Sequence, residues 1–366
     1  MGRCSLDLDP LEITDHIGRT AKSEVVDFVI AELDQIIQGN QLPLSYSQEV
    51  GRATLGAAIA LKAGIAVRNE RYAVASDAAK AVMDLGVYEL YPDYEALFQY
   101  AGQNSSEIIF DRQYAVGGDT YNAFSYAAAS IGGGSVVEPV HNLFLKYGYK
   151  GPMNPNDPFE NIDPRWNYTT YYTGQPIGTS TFNSLPDSPT ADRVRSSEFS
   201  TVNGYNLKKW VDYAADGGNP NTGSINMILI RYADVLLMYA ESKIELGEID
   251  DSVYAAINEV RQRPTVEMPA ITSGKTQQEL RAIIRDERAV ELAFEGLRLY
   301  DMNRWKIGEE KVGTVEGLYY LNTASGEWET ITSGLTRTFR ADRDYLWPIP
   351  QAEMEINDNI TQNPNY

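Results

Sequence analysis

The chain has 366 residues and a formal net charge of −20, and its 43% hydrophobic and 22% charged residues are typical of a folded globular protein. Such a negative charge argues against a nucleic-acid partner, because phosphate binding needs clustered Lys and Arg. No stretch approaches the ~18 uninterrupted apolar residues of a membrane-spanning helix. One cysteine, Cys4, excludes an internal disulfide or a Cys-based zinc cluster, and the distant His16 and His141 give no metal-binding motif.

Helical patterns dominate the first part of the chain, residues 20–98. Apolar residues recur at helical spacing over residues 20–37, and further helices are predicted over residues 52–69 and 72–84. The second and third are rich in small residues, which lets neighbouring helices approach closely. Two antiparallel helices with small residues at their crossing resemble a tetratricopeptide unit. We therefore expect residues 20–98 to form a helical-repeat part.

A long irregular stretch follows at residues 99–226. It is dense in Gly, Pro, Asn, Asp, Ser and Tyr, and only residues 107–116 and 204–213 have patterns that favour short strands. Long loops inside compact proteins are usually functional. This stretch is therefore predicted to be a ligand-binding insertion.

Helical patterns return in the C-terminal part, residues 227–366. A second helical pair is predicted over residues 230–246 and 252–263. Residues 317–321 and 327–331 favour a small hairpin, and the Pro- and Asn-rich end of the chain cannot be helical throughout. The predicted fold is mainly α: a single domain of tetratricopeptide-like helical pairs packed against a loop-rich, irregular region with a few short strands.

Residues 281–305 are predicted to form one amphipathic helix that places acids on its buried face. Glu287 shares a stripe with Ile283 and Val290, and Glu291 follows one turn later. A buried carboxylate is costly unless it is paired and hydrogen-bonded, and ion pairs that organise a core are commoner than catalytic acids. We therefore predict a structural ion network. Its members are Arg231, Glu287, Arg288, Glu291, Arg298 and Arg304.

Four longer motifs occur in an order that is typical of one known family. They are RYADVLLMYAES (231–242), AINEVRQR (256–263), DERAVELAFEGLRLYDMNRW (286–305) and YLWPIPQAEMEINDNITQNPNY (345–366). On these motifs the chain resembles the SusD/RagB family, the surface glycan-binding lipoproteins of Bacteroidetes-type bacteria. Weaker agreement at residues 20–37, 51–67 and 204–210 extends the resemblance over nearly the whole chain.

The resemblance implies a function, a location and a partner. Proteins of this family bind oligosaccharide or polysaccharide at the extracellular face of the outer membrane, without catalysis and without a cofactor, and pass it to a SusC-like TonB-dependent transporter. Family members begin with a signal peptide and a lipid-bearing cysteine, followed by further helices. This chain lacks that start, so we expect it to be N-terminally truncated, with no lipid anchor of its own and with Cys4 not the lipid-bearing residue.

Sugar binding needs aromatic faces for the C–H face of a pyranose and polar side chains for its hydroxyls. The irregular stretch offers two such groups, and a looser aromatic candidate follows in the predicted hairpin. The predicted glycan-binding residues are Tyr114, Asp119, Tyr121, Asn122, Phe124 and Tyr126 in the first group, Tyr171 and Tyr172 in the second, and Trp328. Three other tryptophans, Trp166, Trp210 and Trp305, are expected to pack in the interior.

Two other functions remain open from the sequence: a secreted glycoside hydrolase, and a helical-repeat adaptor that binds a protein. Nucleophile-elbow, phosphate-loop and dinucleotide-binding motifs are absent, yet 51 acidic residues would supply carboxylate pairs by chance. The oxygen-rich residues 156–163 would suit a structural calcium ion, although they lack the EF-hand order. The resemblance does not specify the sugar, and a peptide ligand stays an alternative.

Overall fold

A computed structural model describes residues 16–366, so Cys4 lies outside the described residues. The helices in chain order are α1 (Lys22–Gln38), α2 (Leu55–Arg68), α3 (Tyr72–Asp84), α4 (His141–Phe144), α5 (Pro164–Thr169), α6 (Tyr232–Leu246), α7 (Asp251–Arg261), α8 (Gln277–Glu291), α9 (Arg298–Trp305) and α10 (Gln351–Ile356). The strands are β1 (Ile108–Arg112), β2 (Thr170–Tyr171), β3 (Pro176–Ile177), β4 (Ser180–Thr181), β5 (Asn206–Leu207), β6 (Met227–Arg231), β7 (Gly313–Asn322) and β8 (Glu327–Arg337). The predicted fold class is confirmed, since helices dominate and the strands are few and mostly short.

Close contact between small side chains holds the helical part together. Ala60, Ala63 and Ala66 on α2 are almost completely buried in the core that α2 shares with α3 and α6. Because these side chains are small, the helices approach closely, and the α2–α3 and α6–α7 pairs are both present as predicted. Among residues 16–366, no helix combines the length and the apolar character that crossing a membrane would require.

The strands pair two by two, and each pair is antiparallel. The β1–β6 pair joins the irregular stretch to the helical part, because β6 continues directly into α6. β1 is shorter than the strand predicted over residues 107–116, and β5 is only two residues of the strand predicted over 204–213. The second prediction failed because the backbone turns at Trp210, whose φ of 71° is left-handed and whose side chain is buried.

The single helix predicted over residues 281–305 is wrong, because a turn separates α8 from α9. The turn contains Phe294 at φ 60° and Gly296 at φ 78°, backbone conformations that end an α-helix. The Phe294 carbonyl accepts a hydrogen bond from the Trp210 indole at 3.0 Å. The helix therefore breaks where the irregular stretch packs against it.

Glu291, the last residue of α8, is the centre of a buried ion cluster. Its carboxylate accepts hydrogen bonds from Arg165, Arg231 and Arg263 at 2.8, 2.7 and 2.9 Å. Glu107 bridges the last two guanidinium groups at 2.8 and 2.6 Å, and all five side chains are at most 1% exposed. Burial alone would raise the pKa of the Glu291 carboxyl, but the three guanidinium groups outweigh it and hold the pKa well below its usual range.

A second buried ion cluster joins α6, α8 and α9. Arg288 on α8 donates to Asp234 at 2.8 Å and to Asp301 at 3.0 Å. Arg304 on α9 donates to Glu241 on α6 at 2.6 Å. Each of the three helices contributes charged side chains whose ion-pair partners lie on the other helices. These ion pairs fix how the three helices pack.

The structure divides the six residues predicted as one ion network. The first cluster contains Arg231, Glu287 and Glu291, and the second contains Arg288 and Arg304. Arg298 lies over the Trp305 ring instead, 5.7 Å from its centroid. Its Nη1 atom is buried and has no hydrogen-bond partner within residues 16–366.

We predict that Glu291→Gln destabilises the protein by about 3–5 kcal/mol, because it leaves buried guanidinium charges without their counter-charge. Urea unfolding followed by circular dichroism measures the loss. The matched control is Glu49→Gln, which removes an exposed carboxylate paired with Arg52 at 2.9 Å, and it should cost less than ~1 kcal/mol. Equal effects of the two substitutions would contradict a structural role for the cluster.

Candidate functional site

A cleft of about 510 Å³ lies between the β7–β8 hairpin and the irregular stretch. Its walls come from residues 157–160, 172–176 and 318–321, together with Leu185 and Trp328. Clefts of this size, with apolar and aromatic walls and a few polar groups, are the usual form of small-ligand sites.

Five aromatic rings line the cleft, and four of them form two contacting pairs. Phe159 and Tyr172 stack with ring centroids 4.1 Å apart and planes inclined by 13°. Tyr319 and Trp328 lie 5.1 Å apart at 31°, and Phe159 meets Trp328 at 6.4 Å. All four side chains are only half-buried, so part of each stays accessible to a ligand.

Of the two adjacent tyrosines at the end of β2, only one reaches the cleft. Both residues of β2 itself, Thr170 and Tyr171, are buried. Tyr171 faces the interior, where it is 8% exposed and stacks on Phe182 at 5.9 Å. Tyr172 follows it and lines the cleft, where its hydroxyl donates to Asn167 at 2.9 Å. Only the second member of this predicted pair is therefore available to a ligand.

The opposite wall depends on contacts between β7 and the irregular stretch. The Leu318 N–H donates to the Asn203 carbonyl at 2.7 Å, and the Tyr319 N–H donates to the Tyr205 hydroxyl at 3.1 Å. A Cβ atom at Gly317 would collide with the Asn203 carbonyl, so only glycine permits this approach. These contacts hold β7 in place and therefore determine where its aromatic side chains lie in the cleft.

Polar groups complement the rings. Asp157 and Glu160 line the cleft and are exposed. Gln175 donates to Asn167 at 3.3 Å, and its side-chain oxygen is buried without a hydrogen-bond partner in the described part of the chain. Because an unpaired buried acceptor is costly, a ligand hydroxyl at this point would be favourable.

Two of the predicted glycan-binding residues, Tyr172 and Trp328, lie in this cleft. The first predicted group lies elsewhere. Tyr121 is only 4% exposed and packs against the rings of Tyr114 and Tyr126 at 5.7 and 6.2 Å. This trio forms a packed cluster of its own.

The remaining members of the first group have local partners. Phe124 meets Phe199 at 6.0 Å, and the Asn122 side chain accepts a hydrogen bond from the Phe124 N–H at 2.8 Å. Asp119 forms an exposed ion pair with Arg112 at 2.5 Å. A part for these residues in ligand binding stays a prediction.

Sequence reasoning missed three aromatic residues of the cleft: Phe159, Tyr319 and Tyr320. Phe159 stands inside residues 156–163, which we interpreted by their oxygen atoms rather than by their ring. The adjacent tyrosines were a usable signal, because neighbouring residues of a strand place one ring on each face. The three tryptophans expected in the interior, Trp166, Trp210 and Trp305, are all buried.

Residues 156–163 do not gather their carboxylates around one point. Asp163 is buried and accepts a hydrogen bond from Arg165 at 2.7 Å, whereas Asp157 and Glu160 line the cleft. In the part of the chain that the structure describes, no three His, Cys, Asp or Glu side chains are grouped to hold a metal ion. The structural calcium ion considered from the sequence therefore stays a prediction.

Comparison with known proteins identifies the family. The model of the SusD family matches residues 95–366, so the chain belongs to the SusD family. SusD-like protein P2 of Formosa agariphila is 35% identical over 174 residues, which are 45% of this chain and 31% of that protein. SusD-like protein P25 of the same organism is 25% identical over 368 residues, covering 96% and 66% of the two chains. The chain thus spans less than two thirds of the length of these relatives.

Solved structures are similar over almost the whole chain. A SusD-like carbohydrate binding protein of Bacteroides fragilis is 26% identical, with a TM-score of 0.88 over 98% of this chain and 75% of that chain. A second SusD-like protein of Bacteroides fragilis is 29% identical, with a TM-score of 0.83 over 100% and 76% of the two chains. The fold and the sequence motifs therefore agree.

A carboxyl group next to the support of β7 makes stability depend on pH. Glu138 accepts a hydrogen bond from the Val202 N–H at 2.8 Å, and burial raises its pKa to about 7. An unfolded glutamate has a pKa of about 4.3, so the folded protein binds this proton more tightly and stability falls as pH rises between these values.

We predict that Glu138→Gln leaves the melting temperature unchanged near pH 4 and raises it near pH 8. Glutamine keeps an oxygen acceptor for the Val202 N–H but removes the charge that is buried at high pH. Thermal melts of both proteins across this range measure the difference. A gap that is constant with pH would show that Glu138 titrates as an ordinary exposed glutamate.

Proposed function

We propose that this protein binds oligosaccharide or polysaccharide at the cell surface without cleaving it, and that the aromatic cleft is the binding site. The observation that carries the proposal is the pair of ring contacts, Phe159 with Tyr172 and Tyr319 with Trp328, in one cleft. A similar structure from Bacteroides fragilis is described as a carbohydrate binding protein, which supports the same ligand class.

The cleft combines the two kinds of contact that sugars require. Rings with accessible faces offer the flat apolar surface against which the C–H face of a pyranose packs. The polar residues that line the cleft, Thr173 and Gln175 among them, offer partners to sugar hydroxyls. Rings supply most of the affinity and the neutral polar groups fix orientation.

The positions of the α8 acids support binding without catalysis. A glycoside hydrolase needs two carboxyl groups that flank the scissile bond. Glu287 and Glu291 are buried and form ion pairs with guanidinium groups, so neither reaches a substrate. These two acids were the candidates that the sequence offered for a secreted hydrolase, and their burial counts against that alternative.

Delivery to a transporter belongs to the same proposal. A SusC-like TonB-dependent transporter in the outer membrane would receive the captured glycan, with the binding protein on the extracellular face. Family membership supports this partner. In the native cell, a tagged copy should co-purify with that transporter. Co-purification with a different protein, together with a blank glycan array, would favour the helical-repeat adaptor.

We predict that Trp328→Ala and Tyr172→Ala each weaken glycan binding by about tenfold, because loss of one stacking face worth ~1.4 kcal/mol changes Kd by a factor of ten. A glycan array and affinity electrophoresis on a polysaccharide panel first identify the ligand, and calorimetry then compares the variants. Tyr172→Phe is the matched control, since it keeps the ring and loses only the hydroxyl bonded to Asn167.

The location of the site is tested by Tyr114→Ala in the separate aromatic cluster. This variant should bind as tightly as the original protein. If Tyr114→Ala abolishes binding while Trp328→Ala does not, the site lies in the first predicted group instead. Release of reducing ends from the bound polysaccharide by the pure protein would replace the binding function by a hydrolase.

A further inference from the structure

The charged side chains around the aromatic cleft are acidic. Asp157 and Glu160 line it directly, and no Lys or Arg is among its lining residues. Glu329 on β8 lies opposite Tyr320 in the hairpin register, and it acts electrostatically on that tyrosine together with Asp187. Carboxylates therefore approach the cleft from three separate segments of the chain.

Asp157, Glu160 and Glu329 have hydrogen bonds but no ion pairs with the side chains that the structure describes. Asp157 accepts the Phe159 N–H at 3.0 Å, and Glu160 accepts the Asn154 amide. Glu329 accepts the Asn322 amide at 3.0 Å. All of these donors are neutral, so the negative charge at the cleft is not cancelled locally.

Three basic side chains of the adjacent loops have partners outside the cleft. Lys150 pairs with Glu267 at 3.6 Å, and Arg165 is buried in the Glu291 cluster. Arg195 donates to the carbonyls of Val202 and Thr332. Carboxylate and sulfate groups on a ligand are normally held by Arg or Lys, and this cleft offers them neither.

We infer that the cleft selects uncharged or amino-bearing glycans and discriminates against glycans that carry uronate or sulfate groups. The inference rests on the proposed function and specifies its ligand class. Two rim carboxylates at roughly 6 Å from a ligand carboxylate in water each weaken binding about threefold, or about tenfold together. Neutral hydroxyls meet no such penalty at the cleft.

The experiment compares one glycan backbone in two charge states. The probe is the best-bound neutral polysaccharide of the panel, as short oligosaccharides, against the same oligosaccharides with their primary hydroxyls oxidised to carboxylates. Calorimetry at about 10 mM salt should give an oxidised form that binds about tenfold more weakly. The difference in Kd between the oxidised and the neutral form should narrow at about 0.5 M salt, because the Debye length falls from roughly 30 Å to a few ångströms.

Variants separate the cleft from the overall charge of the protein, since a net charge of −20 repels anions by itself. The double variant Asp157→Asn with Glu160→Gln keeps the oxygen acceptors for the Phe159 N–H and the Asn154 amide. It should reduce the tenfold difference in Kd between the neutral and the oxidised oligosaccharides to about twofold. Glu353→Gln together with Glu355→Gln on the exposed helix α10 is the control of equal charge change, and it should leave the gap intact.

Two different failures can be told apart. If binding depends on Trp328 but the oxidised oligosaccharide binds as tightly as the neutral one, the charge inference is overturned and the proposed function stands. A gap that the cleft double variant and the α10 control reduce equally overturns it as well. If no glycan binds, or if binding survives Trp328→Ala, the proposed function fails and takes the inference with it.

Discussion

The fold depends on a single buried carboxylate. Glu291 receives hydrogen bonds from three arginines that come from separate parts of the chain: Arg165 on α5, Arg231 at the end of β6, and Arg263 after α7. Removing one partner of such a pair leaves an uncompensated buried charge, which costs about 3–5 kcal/mol. The irregular stretch therefore cannot move away from the helices without exposing or stranding that charge, and it behaves as a wall of the helical part although it has little regular structure.

The same interaction positions the cleft through a short series of contacts. Arg165 precedes Trp166, which packs edge-on against Tyr205 at 5.2 Å. The Tyr205 hydroxyl in turn accepts a hydrogen bond from the Tyr319 N–H on β7, and four residues after Trp166 the chain reaches β2 and then Tyr172. Both walls of the cleft are thus held in position by contacts that lead back to the buried ion cluster. Accessible rings can stay rigid enough for recognition because their supports are fixed by ion pairs far from solvent.

Sequence patterns predicted the helices and the role of the α8 acids, because helical period and the cost of burying charge are local properties. They failed where contacts with a distant segment determine the local structure. The break after α8 lies where Trp210, from a distant segment, donates a hydrogen bond to the Phe294 carbonyl. The start of α8, in contrast, had a local signal in the sequence, the capping box of Thr276 and Glu279. Tyr171 and Tyr172 are indistinguishable until the fold buries the first against Phe182 and leaves the second at the cleft. The cleft itself needs the β7–β8 register, which no single segment contains.

The acidic residues of this chain have two opposite roles, and environment alone separates them. Glu291 is surrounded by guanidinium groups in the interior, where its charge is fully compensated and holds elements together. Asp157 and Glu160 accept only neutral donors at an accessible cleft, where their charge acts on whatever approaches. Aromatic faces accept many sugars alike, so affinity from the rings gives little selectivity. If the cleft binds sugars as proposed, uncompensated charge beside the rings would act mainly by exclusion, which would give a generic stacking surface its ligand class.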